Sequence, residues 1–189
     1  MPNQVQRCSW AGDDPAMRHY HDTEWGVPLH DDDKLFEFLV LEGAQAGLSW
    51  STVLNKRDAY RRAFHRFDIK RVARMTDAAL EKLLDNPGII RNRLKIYSAR
   101  NNARAALKVI DEFGSLDAYF WSFVKGKPIR NRHAGRGDVP ASTDLSDTLS
   151  KDMKQRGFNF VGSTIIYAHM QATGMVNDHF FGCFRHKQV

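Results

Sequence analysis

Two cysteines, Cys8 and Cys183, stand near the two ends of a 189-residue chain that also carries eight histidines. In "NDHFFGC" (177–183), His179 precedes Cys183 by four positions. One helical turn or one tight loop would let both side chains face a single ion, which is half of a metal site. The other half must come from far away in sequence. The segment "CSWAGDDPAMRHYHDTEW" holds Cys8 with His19 and His21 behind it at metal-compatible distances, and spacing alone does not choose between the two histidines. Two thiolates and two imidazoles would complete a tetrahedral zinc shell with no position open to substrate, so such an ion would be structural and would tie the chain ends together. The alternative is that both cysteines are small buried hydrophobes and the histidines are ordinary polar residues.

Glu42 raises a different question. It interrupts the apolar face of the core-like helix in "LFEFLVLEGAQAGLSW" (35–50), on the side of Phe38 and Ala46. A buried carboxylate is costly unless paired, so Glu42 either belongs to a local polar network or awaits a partner from outside. Trp50, Trp10, Tyr20 and Trp25 would supply flat aromatic surface, which together with one acceptor carboxylate suits a planar, electron-poor heterocycle. A half-exposed Glu42 beside core aromatics would account for the same residues. A third pattern lies in "DNPGIIRNRLKIYSARNNARAALK" (85–108), where a Pro-Gly turn joins two helical stretches. Arg91, Arg93 and Lys95 mark the start of the second stretch, with Arg100, Arg104 and Lys108 beyond. Backbone amides at a helix start beside cations bind phosphate, although a helix pair with a solvated basic face carries the same signature.

Such residues must be held by helices, because apolar positions recur at intervals of three and four: Leu35, Phe36, Leu39 and Val40, then Val53 and Leu54, then Leu80, Leu83 and Leu84. β-type alternation is scarce. The expected fold is all-α, with helices at 14–24, 33–46, 50–65, 69–75, 77–86, 91–112, 116–124, 144–156 and 162–173. Ser49, Thr76, Ser115 and Thr143 are predicted N-caps, and Gly114, Gly157 and Gly174 stand where helices should stop. The stretch "GKPIRNRHAGRGDVPAST" (126–143) has no periodicity and reads as a mobile connection. At 42% hydrophobic residues, the length suits one domain with a real core. No apolar run approaches the roughly 20 residues that a bilayer requires, and "MPNQVQRCSW" lacks a signal-peptide core, so a cytoplasmic location is expected. Two cysteines give no disulfide framework. A net charge of +6 is compatible with a polyanionic partner.

Taken together, these features resemble the 3-methyladenine DNA glycosylase I family of bacterial DNA repair enzymes. The resemblance spans nearly the whole chain and rests on the order and spacing of "RCSW" (7–10), "YHDTEWGVP" (20–28), "LFEFLVLEGAQAGLSW" (35–50), "VLNKRDAYRRAFHRFD" (53–68), "GIIRNRLKI" (88–96), "WSFV" (121–124), "SKDMKQRGFNFVGSTIIYAHMQA" (150–172) and "VNDHFFGC" (176–183). It implies a helix-hairpin-helix glycosylase fold in a single domain, with one structural zinc joining the N- and C-terminal segments. The implied ligands are Cys8, His21, His179 and Cys183, His21 being chosen because it stands in the matching "YHD". The implied base pocket contains Glu42 and Trp50, with Tyr20, Trp10 and Trp25 as neighbours. Glu42 is the residue expected to act in catalysis. The implied activity is monofunctional release of 3-methyladenine from alkylated double-stranded DNA, at the nucleoid, by a monomer. Gly88, Arg91, Arg93 and Lys95 are expected to contact phosphate, and Leu48 to fill the gap left by a flipped base. A zinc-stabilised DNA-binding module without catalysis is the competing expectation. The sequence departs from the family pattern at Met17, where some relatives carry a pocket tyrosine, and in the unusually basic loop 126–143.

Overall fold

Ten α-helices supply nearly all the regular structure of residues 5–189, the part of the chain that the computed structural model describes. Helix α1 (Pro15–Thr23) starts where the Asp14 carboxylate accepts hydrogen bonds from the amides of Ala16 and Met17, with Pro15 in the first turn. Helix α2 (Asp32–Gln45) is capped by Asp31 and carries Asp32 and Asp33 at its positive end. Residues 35–44 of α2 are all buried, as expected of a helix that is apolar around its whole circumference. It is the central strut on which the site is built.

The remaining helices are α3 (Trp50–Leu54), α4 (Arg57–Ala63), α5 (Ile69–Ala73), α6 (Asp77–Leu83), α7 (Arg93–Phe113), α8 (Leu116–Ser122), α9 (Asp144–Gln155) and α10 (Ser163–Ala172). Helices α3, α7, α8 and α10 surround α2, while α5 and α6 lie against α7 and α9 against α10. Ser49, Thr76, Ser115 and Thr143 each accept a hydrogen bond from an amide of the following helix, as their residue types predict. Gly114, Gly157 and Gly174 all have positive φ.

Gly174 has a second constraint. A Cβ there would lie 2.4 Å from the backbone of Val27 and Pro28, in the segment that joins α1 to α2. Leu29 N–H donates to the Thr173 carbonyl at the same junction. Gly174→Ala is therefore expected to cost roughly 3 kcal/mol or more in chemical denaturation, since backbone cannot yield as a side chain would.

Two sequence expectations need correction. The single helix expected over 50–65 is two helices, interrupted at Asn55–Lys56. The break turns Arg57 inward, where it pairs with Glu24 at 2.6 Å and with Glu37. The 126–143 stretch is not a free connection. Strand β1 (Ile129–Arg130) pairs in parallel with β2 (Val176–Asn177), and residues 136–138 form a short 3-10 turn. This pairing is between segments nearly fifty residues apart, which local periodicity does not report.

Candidate active site and metal centre

The N-terminal segment and the C-terminal tail meet at Cys8, His21, His179 and Cys183. All four are buried, and their Sγ and ring nitrogen atoms lie within 4.8 Å of one another. Cys183 Sγ is 3.4 Å from His21 Nε2 and 3.6 Å from His179 Nδ1, and Cys8 Sγ is 3.6 Å from the same His179 nitrogen. The opposite ring nitrogens are already engaged. His21 Nδ1 lies 2.7 Å from the Asp22 carboxylate, itself held by the Arg7 guanidinium, and His179 Nε2 lies 3.0 Å from the Trp25 carbonyl. Each outer acceptor fixes a tautomer that leaves the inner nitrogen's lone pair facing the cluster. Hydrogen bonds from Cys8, His179 and His21 also hold the Cys183 thiol well below its ordinary range. The group could hold one metal ion. His19, the alternative that spacing left open, is exposed on α1.

Because Tyr20 adjoins His21 on α1, the same helix that reaches the cluster also reaches a cavity of about 570 Å³. Trp10, Tyr20, Trp25, Trp50 and Phe180 wall it, with Glu42, Gln45, Gln171 and Asp178 as polar lining and Leu48 and Arg136 also lining it. Tyr20 and Trp50 have ring centroids 5.2 Å apart, and Trp10 meets Trp25 edge-on at 4.8 Å. The indole Nε1 of Trp50 is buried without a hydrogen-bond partner. Met17 also lines the cavity, contributing a flexible thioether to its wall.

The two buried glutamates of α2 show what sets this cavity apart. Glu37 is ion-paired with Arg57 and, at 2.9 Å, with Arg61. Glu42, 4% exposed, has no hydrogen-bonded or ionic partner among the described residues. Burial alone pushes its carboxyl up to about 8, so near neutrality it is largely protonated. Burial and the nearby Glu42 charge likewise raise the Tyr20 phenol. A cation or a hydrogen-bond donor entering here would restore the carboxylate, which is the chemistry of a recognition site. Gln45, Gln171, Asp178 and Arg136 were not singled out from sequence. Gln45 lies one helical turn from Glu42, a usable signal, but the others reach the cavity through long-range packing.

The hairpin between α6 and α7 is placed differently from the sequence expectation. Helix α7 begins at Arg93, capped by Asn92, so Arg91 precedes it. Arg93 pairs with Glu81 at 2.7 Å. Lys95 turns inward, where its ammonium donates to the carbonyls of Ala44 and Ala46 at 2.9 and 2.6 Å. Half-buried, it thereby caps the C-terminal end of α2. The Gly88 amide donates to the Asn86 side chain at 2.9 Å, and a Cβ on Gly88 would lie 2.8 Å from that of Ala59. Leu48, 43% exposed, follows a positive-φ Gly47 at the pocket mouth. Asp117 is in the first turn of α8, paired with His30 and away from the cavity.

With this geometry in place, comparison with known proteins is direct. A family model described as methyladenine glycosylase matches residues 10–186. The chain belongs to the methyladenine glycosylase family. Among curated family members, DNA-3-methyladenine glycosylase 1 of Escherichia coli strain K12 is 49% identical over 179 residues, covering 95% of this chain and 96% of that protein. A crystal structure of 3-methyladenine DNA glycosylase I superposes with a TM-score of 0.90 at 53% identity, covering 95% and 98% of the two chains. Another family structure, a tyrosine-to-phenylalanine variant solved in complex with 3-methyladenine, has a TM-score of 0.92 at 36% identity over 94% and 96%. The mostly helical architecture of this chain is that of the methyladenine glycosylases.

Proposed function

We propose that this protein hydrolyses the N-glycosidic bond of 3-methyladenine in alkylated double-stranded DNA, releasing the free base and leaving an abasic site. The observation that carries the reading is Glu42, a buried carboxylate in an aromatic cavity with no partner among the described residues. Methylation at N3 gives the base of a deoxyadenosine a positive charge and makes it a good leaving group, so little acid catalysis is required. The enzyme extrudes the nucleotide, at a cost of a few kcal/mol of unstacking, and stacks the base on Trp50 between the walls of Tyr20, Trp10 and Trp25. Glu42 accepts a hydrogen bond from the edge bearing the exocyclic amine and compensates the positive charge, which neutral adenine would not supply. Leu48 fills the gap in the duplex. Among the described residues no lysine lines the cavity, which supports simple hydrolysis without strand cleavage through a covalent imine. The α6–α7 hairpin, with the exposed Arg91 at its tip, is read as a helix-hairpin-helix phosphate contact, and the chain as a single, monomeric domain.

The four-residue cluster is read as one structural zinc site. Ligand bonds of about 2.3 Å to sulfur and 2.0 Å to nitrogen, in a tetrahedron, place S and N about 3.5 Å apart. The S···N distances of 3.4–3.6 Å support that geometry. Zinc there would supply folding energy and no chemistry, since four protein ligands leave no open position.

Chromatography of bases released from methylated duplex DNA tests the function. We expect free 3-methyladenine matched one for one by abasic sites. A protein that bound such DNA for hours and released no base would be a binding module instead.

A further inference from the structure

Between Lys125 and Gly137 the chain carries five lysine and arginine residues and no acidic residue. All five, Lys125, Lys127, Arg130, Arg132 and Arg136, are exposed, and none forms an ion pair among the described residues. The backbone beneath them is fixed. Ile129 N–H donates to the Met175 carbonyl at 2.9 Å, Asn131 N–H to the Asn177 carbonyl at 3.1 Å, and Phe181 N–H to the His133 carbonyl at 2.8 Å. Beneath the strap, the buried Asp178 accepts from the Asn131 amide at 2.7 Å and lies 3.1 Å from His133 Nε2. The side-chain anchors therefore fall at 131 and 133, and in an extended chain Arg130 and Arg132 alternate with them and point to the opposite face. Ile129, held here through its backbone, is exposed as well. The Arg132 guanidinium lies 4.6 Å over the ring of Phe181, which is itself half exposed. The strap ends at the cavity, where Arg136 and Leu48 share the lining.

An unpaired cationic row on a rigid backbone, ending at the pocket that takes the damaged nucleotide, fits a polyanion whose phosphates run past that pocket. Two residues of extended chain separate Arg130 from Arg132 by about 6.6 Å, the scale of neighbouring phosphates on one strand. We propose that this strap is a second DNA-backbone contact, apart from the α6–α7 hairpin, that holds the phosphates of the damaged strand beside the base pocket. The inference rests on the glycosylase reading above.

The test compares the intact protein, Arg130→Ala/Arg132→Ala, and Lys151→Ala/Lys154→Ala, a control that removes the same charge from exposed positions on α9. Fluorescence anisotropy with undamaged duplex is measured across salt concentrations, and calorimetry follows binding of free 3-methyladenine. For the strap variant we expect duplex affinity to fall about tenfold. The slope of log affinity against log salt should flatten by about 0.9 for each phosphate that the variant no longer neutralises, while free-base binding stays unchanged. Affinity and slope matching the intact protein, or matching the α9 control, would overturn the proposal. If free 3-methyladenine failed to bind the intact protein, the functional reading would fall, whereas the duplex comparison would still decide whether the strap grips a nucleic-acid backbone.

Discussion

Glu42→Ala is expected to lower kcat/KM for 3-methyladenine release from methylated duplex by about 100-fold, the equivalent of roughly 2.7 kcal/mol of transition-state stabilisation. The magnitude follows from removing a charge-assisted hydrogen bond inside the pocket; Asp178, the other carboxylate lining it, is already held by Asn131, Tyr167 and Gln171. Glu37, the other buried carboxylate of α2, is bound to two arginines and is not a replacement. Glu42→Gln separates the charge from the hydrogen bond, because it keeps the shape and one acceptor oxygen. If charge matters, the intact enzyme's kcat/KM should rise with pH up to about 8, as the free pocket's Glu42 ionises. Glu42→Gln should flatten that profile. Stability should move the other way. A carboxyl whose folded-state value lies above its ordinary 4.5 binds more protons folded than unfolded, so the native state loses stability as pH rises from about 4.5 to about 8. Glu42→Gln removes that penalty, which approaches about 5 kcal/mol above pH 8. Denaturation at pH 8.5 should find the glutamine variant more stable and less active. Undiminished base release by Glu42→Ala would remove Glu42 from the mechanism.

That contrast between Glu37 and Glu42 also marks the limit of what the sequence discloses. Both interrupt the same apolar helix, and nothing in "LFEFLVLEGA" says which is neutralised. The arginines that settle the matter, the buried Arg57 and the partly exposed Arg61, lie on α4, which begins only after the break at Asn55–Lys56. Lys95 is a similar case. Its neighbours in sequence read as a phosphate-binding helix start, yet its ammonium finds two carbonyls at the end of α2. Features set by local rules were legible: the caps at Ser49, Thr76, Ser115 and Thr143 need only a side-chain oxygen and the amide three residues on. The strap at 129–133 was not, since its partners lie at 175–181 and its sequence carries no alternation of apolar and polar residues. Joining Cys8 and His21 to His179 and Cys183 required family likeness, because spacing left His19 equally available.

Cys183→Ser should give the other large effect, on the fold instead of the chemistry. The intact protein is expected to hold about one zinc per chain by elemental analysis and the variant close to none. Serine's hydroxyl is a poor zinc ligand, and three remaining ligands around a buried ion leave its shell incomplete. Structural zinc binding is folding free energy, and its loss is placed at about 5 kcal/mol or more. For a chain of this size each kcal/mol moves the melting temperature by roughly 2–4 °C, so a fall of about 10–20 °C is expected in calorimetry. The cluster joins Cys8 to the tail, and two of its walls belong to the pocket as well. Trp25 lends its carbonyl to His179 and its ring to the cavity, and Tyr20 precedes His21 on α1. Base release by Cys183→Ser should therefore survive at low temperature and fail as the clasp opens on warming. Asp22→Asn supplies a milder version. It leaves all four ligands in place but weakens the acceptor that orients His21, and is expected to lower zinc affinity about 10–100-fold in chelator competition. Full zinc content and an unchanged melting temperature in Cys183→Ser would return Cys8 and Cys183 to the status of buried apolar residues. Complete loss of base release from a zinc-depleted protein that was still folded would instead make the metal part of the chemistry.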